Sequence, residues 1–325
     1  MNRKLNNLWS AILFWRRLAP RFSVLSILVV LLHGFSFGNA AGQTREIAKP
    51  GTISLGLVSR INRSTTTAHF DDFVRYVAAK LGSGSEIQGK VIVAPTTFEL
   101  AKLIQDKQVD FYMDSPYPTY LLNQVYGFSK LLLRRWKGGI AEYRSLIFTK
   151  RAGEITRLED LKGRILAFED PESTSGYFLP RSFLTQKGFS FTDKNRYDPE
   201  ASPTNIGYLF AYSQQKLLDW VLAKKVAAGA FSDADYASLD PKKKSELTIL
   251  GETEPLPRQF VSVRKDLTPN LVNPLKNILL AMHENSEGRK ILKNTDDTTK
   301  FDLFPEGDAG LRRRMAAIFR SAEKK

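Results

Sequence analysis

The chain has 325 residues, enough for one large domain or two medium ones with a substantial core. It contains no cysteine, which excludes disulfides, thiolate metal sites and cysteine nucleophiles. The formal net charge is +14, but the basic residues are scattered in short clusters, so the charge favours anionic partners without pointing to nucleic acid.

Residues 1–41 predict a secretory signal peptide. A basic region without acids precedes an apolar run over residues 22–32, and small residues follow around Ala40 and Ala41, where we expect cleavage. The apolar run is shorter than the roughly 20 residues that span a bilayer. An uncleaved membrane anchor is the alternative, because residues 8–14 add apolar surface upstream. In both cases we expect the body of the protein in the periplasm.

Strand and helix patterns alternate along the remaining chain, which predicts an α/β fold. The first set has strands at residues 52–58, 91–94 and 109–113 and helices at residues 70–81 and 98–106. The second set has strands at residues 143–149, 164–168 and 226–231 and helices at residues 158–163, 177–186 and 214–225. Strands at residues 247–250 and 259–264 and helices at residues 271–285 and 309–321 follow. Two such sets predict two lobes.

Four polar loops are predicted where ligands bind in open α/β sheets, just beyond the carboxyl ends of strands. They cover residues 59–67, 114–120, 170–176 and 232–236, and they are rich in hydroxyls, aromatic rings or carboxylates. The first of them contains Thr66, which we include among the candidate ligand-binding residues.

The string Ser173-Thr174-Ser175-Gly176 is the loop whose chemistry is most informative. It follows a predicted strand and opens a predicted helix, so several backbone N–H groups lack partners at the positive end of the helix dipole. Three hydroxyls add donors, and Gly176 lets the backbone approach a ligand closely. An ordinary helix cap is the alternative, but one hydroxyl is sufficient for a cap. The triple run therefore favours an oxyanion site.

Two more clusters contain candidate site residues. Tyr117 and Tyr120 lie in a loop stiffened by prolines and offer both hydrogen-bond donors and apolar walls, although loop packing is the alternative. Asp233 and Asp235 would repel an oxyanion unless they accept a proton from the ligand or pair with a ligand amine, and capping of a turn is the alternative.

Motifs typical of enzymes and of metal sites are not found in the sequence. There is no cluster of histidine and carboxylate residues with metal-ligand spacing, no G-x-S-x-G motif and no P-loop. We therefore expect no catalytic activity, no metal and no cofactor.

Residues 158–168 and 170–176 resemble the phosphate/phosphite/phosphonate-binding proteins of ABC transporters. The most specific part is Asp170-Pro171 followed by Ser173-Thr174-Ser175-Gly176. Val109-Asp110, Tyr143-Arg144-Ser145 and residues 226–233 are supporting matches. The resemblance covers roughly residues 51–270.

This resemblance implies a type II periplasmic-binding fold, in which two α/β lobes are joined by two crossover strands and the ligand lies in the cleft. Lobe one would combine residues 45–142 with 237–325, and lobe two would be residues 143–236. The family's hydroxyl turn grips the phosphonate oxygens, which implies this role for Ser173, Thr174 and Ser175. Tyr117 or Tyr120 would line the cleft, together with Asp233 or, less closely matched, Asp235.

Two departures from the family pattern bear on the ligand. Residues 212–214 lack the histidine that family members often carry there, and residues 64–67 replace a proline-bearing turn. Oxyanion binding is still implied, but the case for an aminoalkylphosphonate is weakened.

The implied function is a solute-binding protein that captures a phosphate-, phosphite- or phosphonate-type oxyanion for the permease of an ABC importer. The alternative is a sensing protein of the same fold that signals to a membrane kinase or cyclase. An uncleaved N-terminus would favour the alternative. Nucleic acid is not expected as a partner of an exported chain.

Overall fold

The computed structural model describes residues 51–59, 63–82, 86–196 and 203–323. The predicted signal peptide, residues 1–41, lies outside this range. Within it, no helix combines the length and the apolar character needed to cross a membrane.

The described residues contain strands that build two large sheets and one small one. In chain order they are β1 (Gly51–Val58), β2 (Ile87–Ala94), β3 (Phe111–Asp114), β4 (Ser129–Lys137), β5 (Glu142–Tyr143), β6 (Ser145–Lys150), β7 (Ile165–Phe168), β8 (Phe191–Asp193), β9 (Ile206–Phe210), β10 (Ala228–Ser232), β11 (Leu247–Glu252), β12 (Leu256–Pro257), β13 (Gln259–Arg264) and β14 (Thr298–Asp302).

The first large sheet has the spatial order β14-β4-β13-β3-β1-β2. Strand β1 is parallel to β2 and β3, whereas β13 is antiparallel to both β3 and β4. Strand β1 is buried over five successive residues, the pattern expected of a strand covered on both faces.

The second large sheet has the spatial order β11-β6-β10-β7-β9-β8. Strand β7 is parallel to β9 and β10, and β6 is antiparallel to β10 and β11. Residues 237–325 were expected in lobe one, but β11 lies in the second sheet, because its backbone pairs with β6. The second lobe therefore takes a strand from beyond residue 236.

The small sheet joins the two lobes. Strands β5 and β12 pair antiparallel, Tyr143 opposite Leu256 and Glu142 opposite Pro257, and the chain passes from one large sheet to the other at each of them. The expected two-lobed α/β fold with two crossover strands is confirmed.

Helices cover the faces of the sheets. In chain order they are α1 (Arg63–Leu81), α2 (Thr97–Gln105), α3 (Pro116–Tyr120), α4 (Leu179–Gln186), α5 (Gln214–Leu222), α6 (Asp233–Ala237), α7 (Pro241–Ser245), α8 (Pro269–Ala281), α9 (Ser286–Asn294) and α10 (Gly307–Glu323). Short 3₁₀ turns lie at Leu158–Leu161, Lys194–Arg196 and Met282–Glu284, and π-type turns at Leu121–Val125 and Thr174–Phe178.

Helix α1 begins earlier than the sequence predicted. Phe70, Phe73, Val74 and Val77 form its buried stripe, as their spacing indicates. However, the helix already begins at Arg63, so Thr66 is helical and does not lie in a loop. The side chain of Thr67 donates to the carbonyl of Arg63 at 2.9 Å, one turn earlier in the same helix.

Two other predicted loops are also short helices. Pro116 lies in the first turn of α3, where a missing N–H costs nothing, and Ser115 is its N-cap residue. Helix α6 starts at Asp233, and Ser232 and Asp235 cap it reciprocally. Prolines and aspartates were interpreted as loop formers, although both residue types also start helices.

Candidate oxyanion site

The turn after β7 is held in shape by its own first serine. The hydroxyl of Ser173 accepts from the amide of Gly176 at 3.0 Å and donates to Oε2 of Glu169 at 3.0 Å. The carbonyl of Gly176 in turn accepts from the amide of Glu169 at 3.1 Å. Ser173 is therefore a cap that fixes the shape of the turn.

Thr174 links the turn to the first lobe. Its hydroxyl accepts from the amide of Tyr117 at 2.9 Å and donates to the hydroxyl of Ser115 at 3.1 Å. A second bond between the lobes runs from the hydroxyl of Thr97 to Oε2 of Glu172 at 3.2 Å. The start of α3 and the turn after β7 thus face each other across the cleft.

A cavity of about 170 Å³ opens at this junction. Most of its walls are hydroxyls or cations, supplied by both lobes and both crossovers. The lining residues are Ser115, Lys137, Tyr143, Ser173, Thr174, Ser175, Ser232, Asp235, Arg258 and Gln259. One water needs about 10 to 15 Å³ by this measure, and drug-sized ligands occupy about 300 Å³ or more, so the cavity suits a ligand smaller than a drug molecule.

Tyr143 supplies a neutral donor to this cavity. Burial raises the pKa of its phenol, which adjoins the hydroxyls of Thr174 and Ser175. The hydroxyl of Ser145 donates to the carbonyl of Ser175 at 2.6 Å and so fixes the turn against β6. The phenol stays protonated at all physiological pH values and can donate to an anion.

Two cations that sequence reasoning missed also face the cavity. Arg258 follows β12, and its Cζ lies 5.6 Å from the centre of the Tyr143 ring. Lys137 ends β4, and its Nζ lies 2.7 Å from Oδ2 of Asp296. No sequence pattern pointed to Lys137, because β4 itself was not predicted. Arg258 is an isolated residue beside a crossover, and only the tertiary structure brings it to the cavity.

The two aspartates after β10 have different positions. Asp235 lines the cavity, and its Oδ2 accepts from the hydroxyl of Ser232 at 2.6 Å. Asp233 does not line it, because its Oδ1 turns to the amides of Ala234 at 2.9 Å and Arg144 at 3.3 Å. Residues two apart on a helix project about 200° from each other, so only one of this pair can face the cleft.

Tyr117 and Tyr120 lie behind the cavity and do not line it. Both rings are buried in an apolar cluster with Phe178 and Phe319. The reason is the helical conformation of α3, which directs the rings towards α10. The backbone amide of Tyr117 bonds to the hydroxyl of Thr174, and its ring stacks on Phe178 at the end of the same turn.

Thr66 lines a neighbouring cavity of about 220 Å³, which shares Gln259 with the first. His69, Asp114, Arg135 and Asp296 provide its other polar walls. Arg135 is buried and bonded to the hydroxyl of Thr298 at 2.8 Å and to the carbonyl of Thr295 at 3.0 Å. The candidate residues therefore fall around two adjacent cavities rather than one.

Comparison with known proteins agrees with this fold. The family model described as ABC transporter, phosphonate, periplasmic substrate-binding protein matches residues 55–304. XAC2383 from Xanthomonas citri bound to chloride ion is similar, with a TM-score of 0.75 and 25% identity over 83% of this chain and 98% of that chain. XAC2383 bound to ATP gives a TM-score of 0.74 with the same identity and coverage.

PhnD1 from Prochlorococcus marinus in complex with methylphosphonate shares the fold, with a TM-score of 0.61 and 17% identity over 85% of this chain and 100% of that chain. The family model covers far more than half of the 325 residues. This chain therefore belongs to the family of periplasmic substrate-binding proteins of phosphonate ABC transporters.

Proposed function

We propose that this protein captures a phosphate-, phosphite- or phosphonate-type oxyanion between its two lobes and presents it to the permease of an ABC importer. The observation that carries this proposal is the cavity at the turn after β7, where the hydroxyls of Thr174 and Ser175, the Tyr143 phenol and two cations converge. A tetrahedral oxyanion needs several short donors around it, and charge-assisted bonds of this kind are about twice as strong as neutral ones.

The residues predicted from the sequence take different parts in this proposal. Thr174 and Ser175 contact the oxyanion, while Ser173 and Gly176 shape the turn that holds them. Tyr117 and Tyr120 support α3 from behind. Asp233 anchors the first crossover through the amide of Arg144, and Thr66 borders the adjacent cavity. Asp235 is the carboxylate nearest to the ligand.

The relatives support the same ligand class. XAC2383 has been solved bound to ATP, and the family model is that of phosphonate-binding proteins. We extend to this chain only the shared chemistry, a phosphorus oxyanion. Export by the predicted signal peptide, partnership with a permease, and binding without turnover are parts of the proposal.

Calorimetric titration with phosphate, phosphite, methylphosphonate and sulfate tests the ligand class. We expect tight binding of at least one phosphorus oxyanion, and we expect phosphorus-31 spectra to show that ligand unchanged after prolonged incubation. Conversion of the ligand would show an enzyme instead, and absence of binding by all four would contradict the proposed function.

Substitutions in the turn test the site. Ser175→Ala should weaken oxyanion binding by about ten- to a hundredfold, the usual value of one hydrogen bond to a charged group. Thr174→Ser is the matched control, because it keeps the hydroxyl that bonds to Ser115 and to the amide of Tyr117, and it should bind nearly as the wild type does. Equal affinity of Ser175→Ala and the wild type would contradict the assignment.

A further inference from the structure

Arg258 carries an unfilled hydrogen-bond donor at the cavity. Its Nη1 is buried and has no hydrogen-bond partner among the described residues. The guanidinium lies against the Tyr143 ring, which cannot accept a conventional hydrogen bond on its face. A buried guanidinium N–H without an acceptor is costly, and native structures leave few such groups unless a ligand, ion or water completes them.

Lys137 is the second cation, and it is not neutralised by its neighbour. Its Nζ pairs with Asp296 at 2.7 Å, but the same carboxylate oxygen also lies 3.3 Å from Nη2 of Arg135. One negative charge is therefore shared by two cations. Burial alone would raise the pKa of Asp296, yet Lys137 and Arg135 together hold it below its usual value. An ammonium has three donors, so Lys137 keeps capacity for a ligand.

The only carboxylate among the residues that line this cavity is Asp235. It is already engaged as the capping partner of Ser232, accepting from the serine hydroxyl at 2.6 Å and from its amide at 3.4 Å. A ligand ammonium at this site would meet two cations, Arg258 and Lys137, and like charges repel. The wall therefore favours an acceptor with negative charge.

The two cations and the hydroxyl turn come from different parts of the fold. Thr174 and Ser175 belong to the second lobe, whereas Lys137 ends a first-lobe strand and Arg258 lies in the crossover segment. An oxyanion bound to the turn thus exposes its fourth substituent to the cations. The cavity of about 170 Å³ has room for more than the few atoms of one oxyanion, since one water needs about 10 to 15 Å³.

We propose that the ligand carries a second anionic group, a carboxylate or a second phosphate, which Arg258 and Lys137 bind while the turn holds the first. This inference rests on the proposed function and specifies its substrate class. Diphosphate and phosphonocarboxylates have this chemistry, and aminoalkylphosphonates do not. A planar guanidinium binds a carboxylate or a phosphate through two parallel hydrogen bonds, so Arg258 suits both.

Calorimetric titration with four compounds tests this inference. Methylphosphonate has one anionic group, diphosphate and phosphonoacetate have two, and 2-aminoethylphosphonate has a cation in place of the second. We expect at least one of the two doubly anionic compounds to bind about tenfold or more tightly than methylphosphonate, since a charge-assisted hydrogen bond has roughly that value. 2-Aminoethylphosphonate should bind most weakly. If diphosphate binds more tightly than phosphonoacetate, the second group is a phosphate, and the reverse order shows a carboxylate.

Variants connect this preference to Arg258. Arg258→Gln should reduce the preference for two anionic groups to less than about threefold, and Arg258→Lys, which keeps the charge, should retain part of it. Arg313→Gln, an equal charge change on the exposed face of α10, is the control for long-range electrostatics and should leave the preference intact. Thermal unfolding verifies that each variant is folded.

The outcomes separate this inference from the proposed function. Either of two results would contradict the second anionic group and leave the proposed function standing. In the first, methylphosphonate binds as tightly as diphosphate and phosphonoacetate, and in the second, 2-aminoethylphosphonate binds more tightly than both. A preference that Arg258→Gln leaves unchanged also overturns the inference. If none of the four compounds binds, the proposed function fails together with it.

Discussion

Asp114 is the residue whose ionisation the fold changes most clearly near the cleft. Its Oδ1 accepts from the amide of Ser115 at 2.7 Å, and its Oδ2 is buried without a hydrogen-bond partner among the described residues. Burial raises the pKa of this carboxyl to about 7, and the negative charge of Glu172 contributes in the same direction. The carboxyl therefore titrates near neutral pH, beside the hydroxyl of Ser115 that bonds to Thr174.

Asp114→Asn should remove a pH dependence of stability. The folded chain keeps a proton on Asp114 that the unfolded chain releases near pH 4, so the contribution of this carboxyl to stability falls as the pH rises from about 4 to about 7 and is then level. As the pH rises from about 5 to about 8, the free energy of unfolding of the variant, measured in urea, should increase by about 2 to 3 kcal/mol relative to that of the wild type. Asp308→Asn, at an exposed position, is the control. An equal pH dependence in Asp114→Asn and the wild type would contradict the raised pKa.

At the residue scale, sequence reasoning identified the turn but not its partners. A strand followed by three hydroxyls and a glycine is a local pattern, so Ser173 to Gly176 could be found without a structure. Arg258 and Lys137 have no such pattern, because they reach the cavity through tertiary pairing. The family resemblance implied that Tyr117 or Tyr120 lines the cleft, but α3 is helical and both rings are buried in an apolar cluster.

At the scale of elements, the turn between β7 and α4 depends on Gly176. A Cβ at this position would lie 2.5 Å from both Cβ and Oε2 of Glu169 and 2.8 Å from the hydroxyl of Ser173. Those two side chains form the bond that shapes the turn, at 3.0 Å. The backbone therefore approaches β7 as closely as only glycine permits.

Gly176→Ala should destabilise the protein by about 1 to 3 kcal/mol, the usual cost of an overpacked core position, and should weaken oxyanion binding. The matched control is Gly310→Ala in α10, where a Cβ would meet its nearest neighbour at an ordinary 3.5 Å. That control should stabilise the helix by about 0.5 to 1 kcal/mol. Denaturant unfolding measures both, and a neutral effect of Gly176→Ala would contradict the close approach.

Most elements were predictable, and β4 is one of the strands that were missed. Strands β1, β6, β7 and β13 have no charged residue inside their apolar segments and were found. Strand β4 was not, because Arg134 and Arg135 interrupt its apolar run. Both side chains are buried. Arg134 makes two hydrogen bonds to Asp302, at 2.8 and 2.9 Å, and Arg135 bonds to polar groups of residues 295–298. Charges that are neutralised by distant partners are indistinguishable in sequence from surface charges.

At the scale of the whole molecule, α10 ties the two lobes together. Phe319 is fully buried and packs against Tyr117 and Tyr120 of the first lobe and Phe178 of the second. The hydroxyl of Ser182 in α4 also donates to the carbonyl of Ile318 at 2.8 Å. The C-terminal helix is therefore a third connection between the lobes, in addition to the two crossover strands.

Phe319→Ala should cost about 3 to 5 kcal/mol in the free energy of unfolding, because it empties a buried aromatic site shared by both lobes. Arg320→Ala, the adjacent exposed position, should change it by less than about 0.5 kcal/mol. Urea unfolding measures both. A loss below about 1 kcal/mol in Phe319→Ala would show that α10 does not hold the lobes together.

The two-lobed architecture could be predicted because two α/β sets and a family resemblance agree on it. The lobe boundary could not be predicted fully, since β11 joins the second sheet through pairing with β6, and pairing partners are not written in a strand's own sequence. The same limit applies to the cavity, whose walls come from segments far apart in the chain.

A crystal structure of the protein grown with methylphosphonate tests the central claim most directly. We expect the phosphonate in the cavity between the lobes, with its oxygens within hydrogen-bond distance, about 2.5 to 3.2 Å, of the hydroxyls of Thr174 and Ser175. A phosphonate bound elsewhere, with these two hydroxyls bonded only to solvent or protein, would contradict the claim.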